Sequence, residues 1–152
     1  MNGSEIRPPL RQFGPWQDVD PSTAGWAWPH FTPYELRCRG TGRVVVDPGF
    51  MDRVEVLRGR VGRPIVVTSY WRDPDHNERV SSTGRDGPHT TARAIDIAVH
   101  GLAAHDVVRV ALELGFSGLG VRQHGPIDGR FLHLDDLPSA PGRPRPWIWS
   151  YA

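Results

Sequence analysis

Strand alternation places a small set of His, Asp and Arg side chains where they can act together. Over Ala94 to Val99 one face carries Ile95, Ile97 and Val99, and the other carries Ala94, Asp96 and Ala98. A single carboxylate therefore rises from a floor of methyl groups, which is a poor core and a good cleft bottom. Phe131 to Asp135 repeats the pattern: Leu132 and Leu134 face inward, while Phe131, His133 and Asp135 share the opposite face. Residues two apart on a strand have Cα atoms about 6.5–7 Å apart, so His133 and Asp135 are neighbours. His89 lies at the end of a long polar loop shortly before Asp96. His89, Asp96 and His133 can thus converge as two imidazoles and one carboxylate, the donor set of a catalytic zinc site with one position left for water. His30, His76, His100, His105 and His124 have no such setting and read as ordinary polar residues.

These side chains need a scaffold, and the chain is long enough to supply one. Its 152 residues fit one domain with its own core. The 17 Gly and 15 Pro imply many turns and argue against a helical bundle. Eighteen basic residues, all Arg, face 17 acidic ones, a balance that excludes a general nucleic-acid or membrane-surface binder. The single Cys38 excludes an internal disulfide and a four-cysteine zinc site, and reads as an apolar filler. No apolar run approaches a membrane span. The first residues, MNGSEIRPPLRQ, carry no signal-peptide pattern, so action outside the cytoplasm would require something else to carry the protein there.

The elements can be placed in order. Residues 1–28 read as an irregular arm pinned by Trp16, Trp26 and Trp28, and 29–152 as the functional domain. Thr32, Pro33 and Glu35 form a capping box that starts a short helix. Asp47-Pro48 starts a second, with Phe50, Val54, Leu57 and Val61 on one face. Pro64 to Ser69 is a buried strand, and Tyr70 to Thr91 a polar loop whose length signals function. After the strand Ala94–Val99, Leu102 to Leu114 is an amphipathic helix with Ala103, Val107, Val110, Ala111 and Leu114 on its stripe and Gly115 as its stop. Gly118–Val121 and Phe131–Asp135 are further strands, and the tail is extended and Pro-broken. Within it Trp147, Trp149 and Tyr151 alternate with Ile148 and Ser150, a pattern that seals a sheet edge or offers a stacking surface. The order predicts an α+β domain with a small, mainly antiparallel sheet and flanking helices.

At this point the motifs become recognisable. Gly87-Pro88-His89-Thr90-Thr91-Ala92-Arg93-Ala94-Ile95-Asp96 resembles the S-x-H-x-x-G-x-A-x-D motif of the zinc D-alanyl-D-alanine carboxypeptidases, a family that includes phage L-alanyl-D-glutamate endopeptidases and shares the hedgehog/DD-peptidase fold. Phe131 to Asp135 resembles the family's H-x-D strand. Thr68-Ser69-Tyr70-Trp71-Arg72 with Asp75-His76-Asn77 is similar to T-S-x-x-R…H-N, and His30 to Leu36 to H-F-x-x-x-E-L. The resemblance covers residues 29–137. It implies one zinc ion per chain held by His89, Asp96 and His133, and Arg72 holding a carboxylate or carbonyl oxygen of a peptide, with Ser69 and Tyr70 beside it as substrate contacts. It implies hydrolysis of peptide bonds in peptidoglycan stem peptides, as a D-Ala-D-Ala carboxypeptidase or as an endopeptidase or endolysin, without nucleic acid or membrane insertion. Delivery on a phage particle or release through a holin fits the absent leader pattern. Three departures stand out: Gly87 replaces Ser, Ala92 replaces Gly, and Arg130 occupies the place where relatives carry the basic carboxylate. The general base is then Asp135, with Asp128 as the alternative, and Asp135 could equally serve by orienting a ligating imidazole. A non-catalytic zinc-binding module or a virion-associated structural protein on the same fold is the competing reading.

Overall fold

The computed structural model describes residues 6–23 and 25–152. The first five residues of the expected arm, on which part of the leader reading rests, and Ala24 lie outside them. Among the described residues seven strands and four α-helices follow one another, with short 3-10 turns between them. The strands are β1 (Arg11–Pro15), β2 (Arg43–Val46), β3 (Val66–Ser69), β4 (Ala94–Ala98), β5 (Gly118–Arg122), β6 (Phe131–Asp135) and β7 (Trp147–Ser150). The helices are α1 (Pro33–Leu36), α2 (Pro48–Val61), α3 (Pro74–Val80) and α4 (Gly101–Glu113). β1 and β2 pair antiparallel, and the main sheet runs β3-β4-β6-β5-β7. Its first three pairings are antiparallel and β5–β7 is parallel, so the α+β, mainly antiparallel expectation holds with one mixed edge.

The helix starts follow from their caps. Thr32 Oγ1 accepts from the Glu35 amide at 3.2 Å, and Asp47 Oδ1 from the Phe50 amide at 2.8 Å, each with Pro at the first helical position. Helix α2 ends at Gly62, whose φ of 69° closes the helix in the left-handed region. α2 buries Phe50, Met51, Val54 and Leu57, and α4 buries Ala104, Val107, Val110 and Ala111. Ala104, not Ala103, is at the centre of the α4 contact. Both helices share a core with Ile95 and Ile97 of β4, Leu119 of β5, and Leu132 and Leu134 of β6. Covering one face this way leaves Asp96 and His133 on the other.

Two expectations change. The stretch read as irregular contains β1, which pairs with the unpredicted β2 despite a register break near Gly14. The long polar loop contains α3, capped by Asp73, whose side chain accepts from the Asp75 amide at 2.9 Å. Trp28 packs onto the body as expected. It is fully buried in the common core, and its indole N–H donates to Asp52 at 2.9 Å. Trp28→Ala is expected to cost about 3–5 kcal/mol, as buried aromatic truncations do, read as a lower urea midpoint. Cys38 is buried as expected, its sulfur 3.4 Å from the Asp73 amide.

Candidate metal centre

The β4–β6 register sets Asp96 directly opposite His133, so the two side chains meet across the strands. His89 arrives from a 3-10 turn, Pro88–Thr91, that begins on Pro88. That turn closes at Ala92, the only non-glycine residue with positive φ among the described residues, at 60°. Non-glycine residues resist this conformation, and Tyr70 holds it by donating its hydroxyl to the Ala92 carbonyl at 2.6 Å. The Tyr70 carbonyl in turn sits 2.7 Å from His89 Nδ1. A carbonyl only accepts, so Nδ1 carries the proton and Nε2 is left with a lone pair. His89 Nε2 lies 3.2 Å from Asp96 Oδ1, and His133 Nδ1 lies 3.0 Å from the same oxygen. One ligand atom from each residue falls within 4.8 Å of the others, and the two imidazoles stand at 78° with centroids 5.2 Å apart.

The electrostatics of His89 and Asp96 suit a cation site. Burial pushes the His89 imidazole below its ordinary pKa. Burial also works against charge on His133, but hydrogen bonds to Asp135 and Asp96 raise it. Asp96 is desolvated too, yet His89 and His133 hold it well below the usual carboxylate range. The His89 nitrogen is proton-free, the Asp96 carboxylate is charged, and the His133 nitrogen is aimed at it. Two nitrogens and one carboxylate oxygen suit a borderline ion such as zinc.

Asp135 is fully buried behind His133, its Oδ2 2.8 Å from His133 Nε2. Desolvation would raise its pKa, but His133 and Arg145 bring it down to about 2. Gly118 of β5 faces it, and a Cβ there would overlap the carboxylate. Gly118→Ala is therefore expected to cost about 1–3 kcal/mol, seen as a lower melting temperature together with weaker metal binding.

Arg72 stands at the end of β3 beside the cluster. Its Nε donates to Ser69 Oγ at 2.9 Å, Nη1 to Asn77 Oδ1 at 3.1 Å, and Nη2 to Asp96 Oδ2 at 3.4 Å. Ser69 is thus occupied with fixing Arg72. Tyr70, expected as a substrate contact, is instead in the core: its ring stacks on Phe50 and its hydroxyl serves Ala92, so its role is to place His89. Asp128 is exposed on the turn before β6 and is not among the residues lining the cleft.

The cleft has a volume of about 750 Å³. One wall is the 80–88 segment, and the other is the turn 140–145 with Trp147, Trp149 and Tyr151. Several contributors escape the sequence reading. Asn77 stands in a quoted motif with no role assigned there; it is buried, bonded to Arg72 and Thr83, and comes from the unpredicted α3. Arg145 and the bare glycines of β5 gave no signal, whereas the Trp147-Trp149-Tyr151 alternation did and finds its place on the cleft side.

Comparison with known proteins gives the chain its relatives. A profile of the family described as peptidase M15 matches residues 29–135. The peptidoglycan L,D-endopeptidase MepK of Escherichia coli (strain K12) is 27% identical over 100 residues, covering 62% of this chain and 53% of that protein. MepK of Shigella flexneri matches with the same identity and coverage. The chain spans about half the length of these curated relatives. No solved structure matches. With the family's profile covering both helices and strands that build the His-Asp-His cluster, the chain belongs to the peptidase M15 family.

Proposed function

We propose that this chain is a zinc-dependent peptidase that hydrolyses peptide bonds of peptidoglycan stem peptides, acting as an endopeptidase. The observation that carries the reading is the meeting of His89, Asp96 and His133 at the floor of an open cleft. The endopeptidase choice, over a D-Ala-D-Ala carboxypeptidase, draws on the name of the relatives. His89, Asp96 and His133 would hold the ion, which when bound acidifies water and polarises a carbonyl.

The remaining roles fall to the protein's own groups. A guanidinium has five N–H donors, and Arg72 uses three of them on Ser69, Asn77 and Asp96. One N–H on each Nη is left for a peptide carbonyl or carboxylate oxygen, and the three anchors fix its direction in advance. Asp135 is poorly suited to be the base. Both its oxygens are engaged, on the side of His133 away from the cluster. It orients the imidazole instead. The proton-accepting role passes to Asp86, the one carboxylate besides Asp96 among the described residues that line the cleft. Asp86→Asn is expected to lower kcat about 10²-fold while zinc content stays at the wild-type level, measured by turnover and elemental analysis.

Mass spectrometry of fragments released from purified peptidoglycan, with and without chelator, tests the reading. Stem-peptide cleavage that stops on chelation and returns with zinc supports it, and release indifferent to chelator overturns it. One observation favours a second reading, a non-catalytic zinc-binding module: the carboxylate nearest the cluster is fully engaged. Stoichiometric zinc with no fragment release would establish that alternative.

A further inference from the structure

We propose that Arg145 is a positioning residue of the metal centre: its guanidinium fork locks the carboxylate of Asp135, which in turn holds His133 with Nε2 protonated and Nδ1 open to an ion. The consequence for catalysis rests on the peptidase reading above, whereas the geometry does not.

His133 is the weak point of the cluster, because both its ring nitrogens face carboxylates. Nδ1 is 3.0 Å from Asp96 and Nε2 is 2.8 Å from Asp135. Two similar acceptors do not by themselves select a tautomer. Arg145 makes them different. Its Nε donates to Asp135 Oδ1 at 2.9 Å and its Nη2 to Oδ2 at 2.8 Å. Two parallel hydrogen bonds fix the plane of a carboxylate, which a single bond does not. From an arginine Asp96 receives only one, longer contact, from Arg72 at 3.4 Å. The rigid, fully buried acceptor is therefore on the Nε2 side.

Arg145 is itself held. Its side chain is only 6% exposed, Nη1 donates to the Pro144 carbonyl at 2.8 Å, and the guanidinium carbon lies 5.1 Å from the Trp149 ring centroid. The Trp149 ring is in turn 5.1 Å from His133. Strand β7 anchors the segment through the Trp147 amide, which donates to the Ser117 carbonyl at 2.8 Å. The facing strand has made room: a Cβ at Gly118 would overlap Asp135, and one at Gly120 would run into Trp149 and Tyr151. The family profile ends at residue 135, so this clamp comes from a segment beyond it.

The test uses the full chain as wild type, Arg145→Met and Arg145→Lys. Zinc affinity is read by competition with a chromophoric chelator, and the protonated ring nitrogen of His133 by ¹⁵N NMR of metal-free protein at alkaline pH. Arg145→Met is expected to weaken zinc binding about 10–100-fold, the usual loss when support behind a ligand is removed, and to move the His133 ring toward a mixture of tautomers. Arg145→Lys keeps the charge without the fork and is expected to recover less than half of that loss on a logarithmic scale. Unchanged affinity and unchanged ring shifts in the lysine variant would overturn the proposal, whether or not the methionine variant folds. Neither readout involves peptidoglycan. Tight zinc that depends on Arg145, without hydrolysis by wild type, would sink the peptidase reading and leave this inference standing.

Discussion

His133→Ala is expected to abolish both stoichiometric zinc and cell-wall hydrolysis, with His89→Ala and Asp96→Ala giving the same result. The reason is geometric. Asp96 Oδ1 is the shared vertex, 3.2 Å from one imidazole nitrogen and 3.0 Å from the other, and no further His or Cys lies in the group to substitute. The electrophilic and water-activating contribution of a bound metal is worth several kcal/mol, so turnover should fall by roughly 10³–10⁴-fold or more. Elemental analysis after dialysis and a turbidity assay on purified walls read the two effects separately. His133→Ala should also lower the melting temperature more than His89→Ala, because His133 bridges two carboxylates while His89 touches one. A metal-free variant with wild-type hydrolysis would contradict the mechanism.

Arg72→Ala is expected to keep zinc and lose turnover by about 10²–10³-fold, the cost of removing one preorganised donor from an oxyanion site. Its contact to Asp96 is long at 3.4 Å, so metal affinity should move by less than tenfold. The loss should fall mainly on kcat if the guanidinium meets the developing charge, and mainly on KM if it holds a substrate carboxylate. Arg72→Lys should recover little, since a point charge cannot hold Ser69, Asn77 and Asp96 together while also donating to substrate. A variant that loses its metal would contradict the assignment.

The legible parts of this protein are those governed by short-range rules. Strand alternation alone set Asp96 and His133 on a common face, because the period of two is imposed by backbone geometry. The caps at Thr32 and Asp47 are likewise local, and both helices begin where those residues stand. What stayed hidden depends on contacts distant in sequence. β1 needs β2 more than twenty residues away to be a strand at all, and its Gly14 break spoils any alternation. α3 is a seven-residue helix rich in polar side chains, so no apolar stripe announces it. Tyr70 looked like a cleft residue because it stands beside Arg72 in the T-S-x-x-R motif. Its hydroxyl instead finds Ala92 inside the core, a pairing that only the assembled turn creates. Arg145 sits in a Pro-rich run with no periodicity, and its meaning comes entirely from Asp135 ten residues earlier.

The parallel pairing of β7 with β5 also makes the centre depend on a strand that contributes none of its ligands. A chain truncated after residue 137 would own every group of the His-Asp-His cluster, together with Asp135. It would lack the cation that makes a sealed-in carboxylate tolerable. Such a truncated chain should therefore hold the ion loosely, and the centre should tighten only when the stretch through residue 150 is present and zipped onto the sheet.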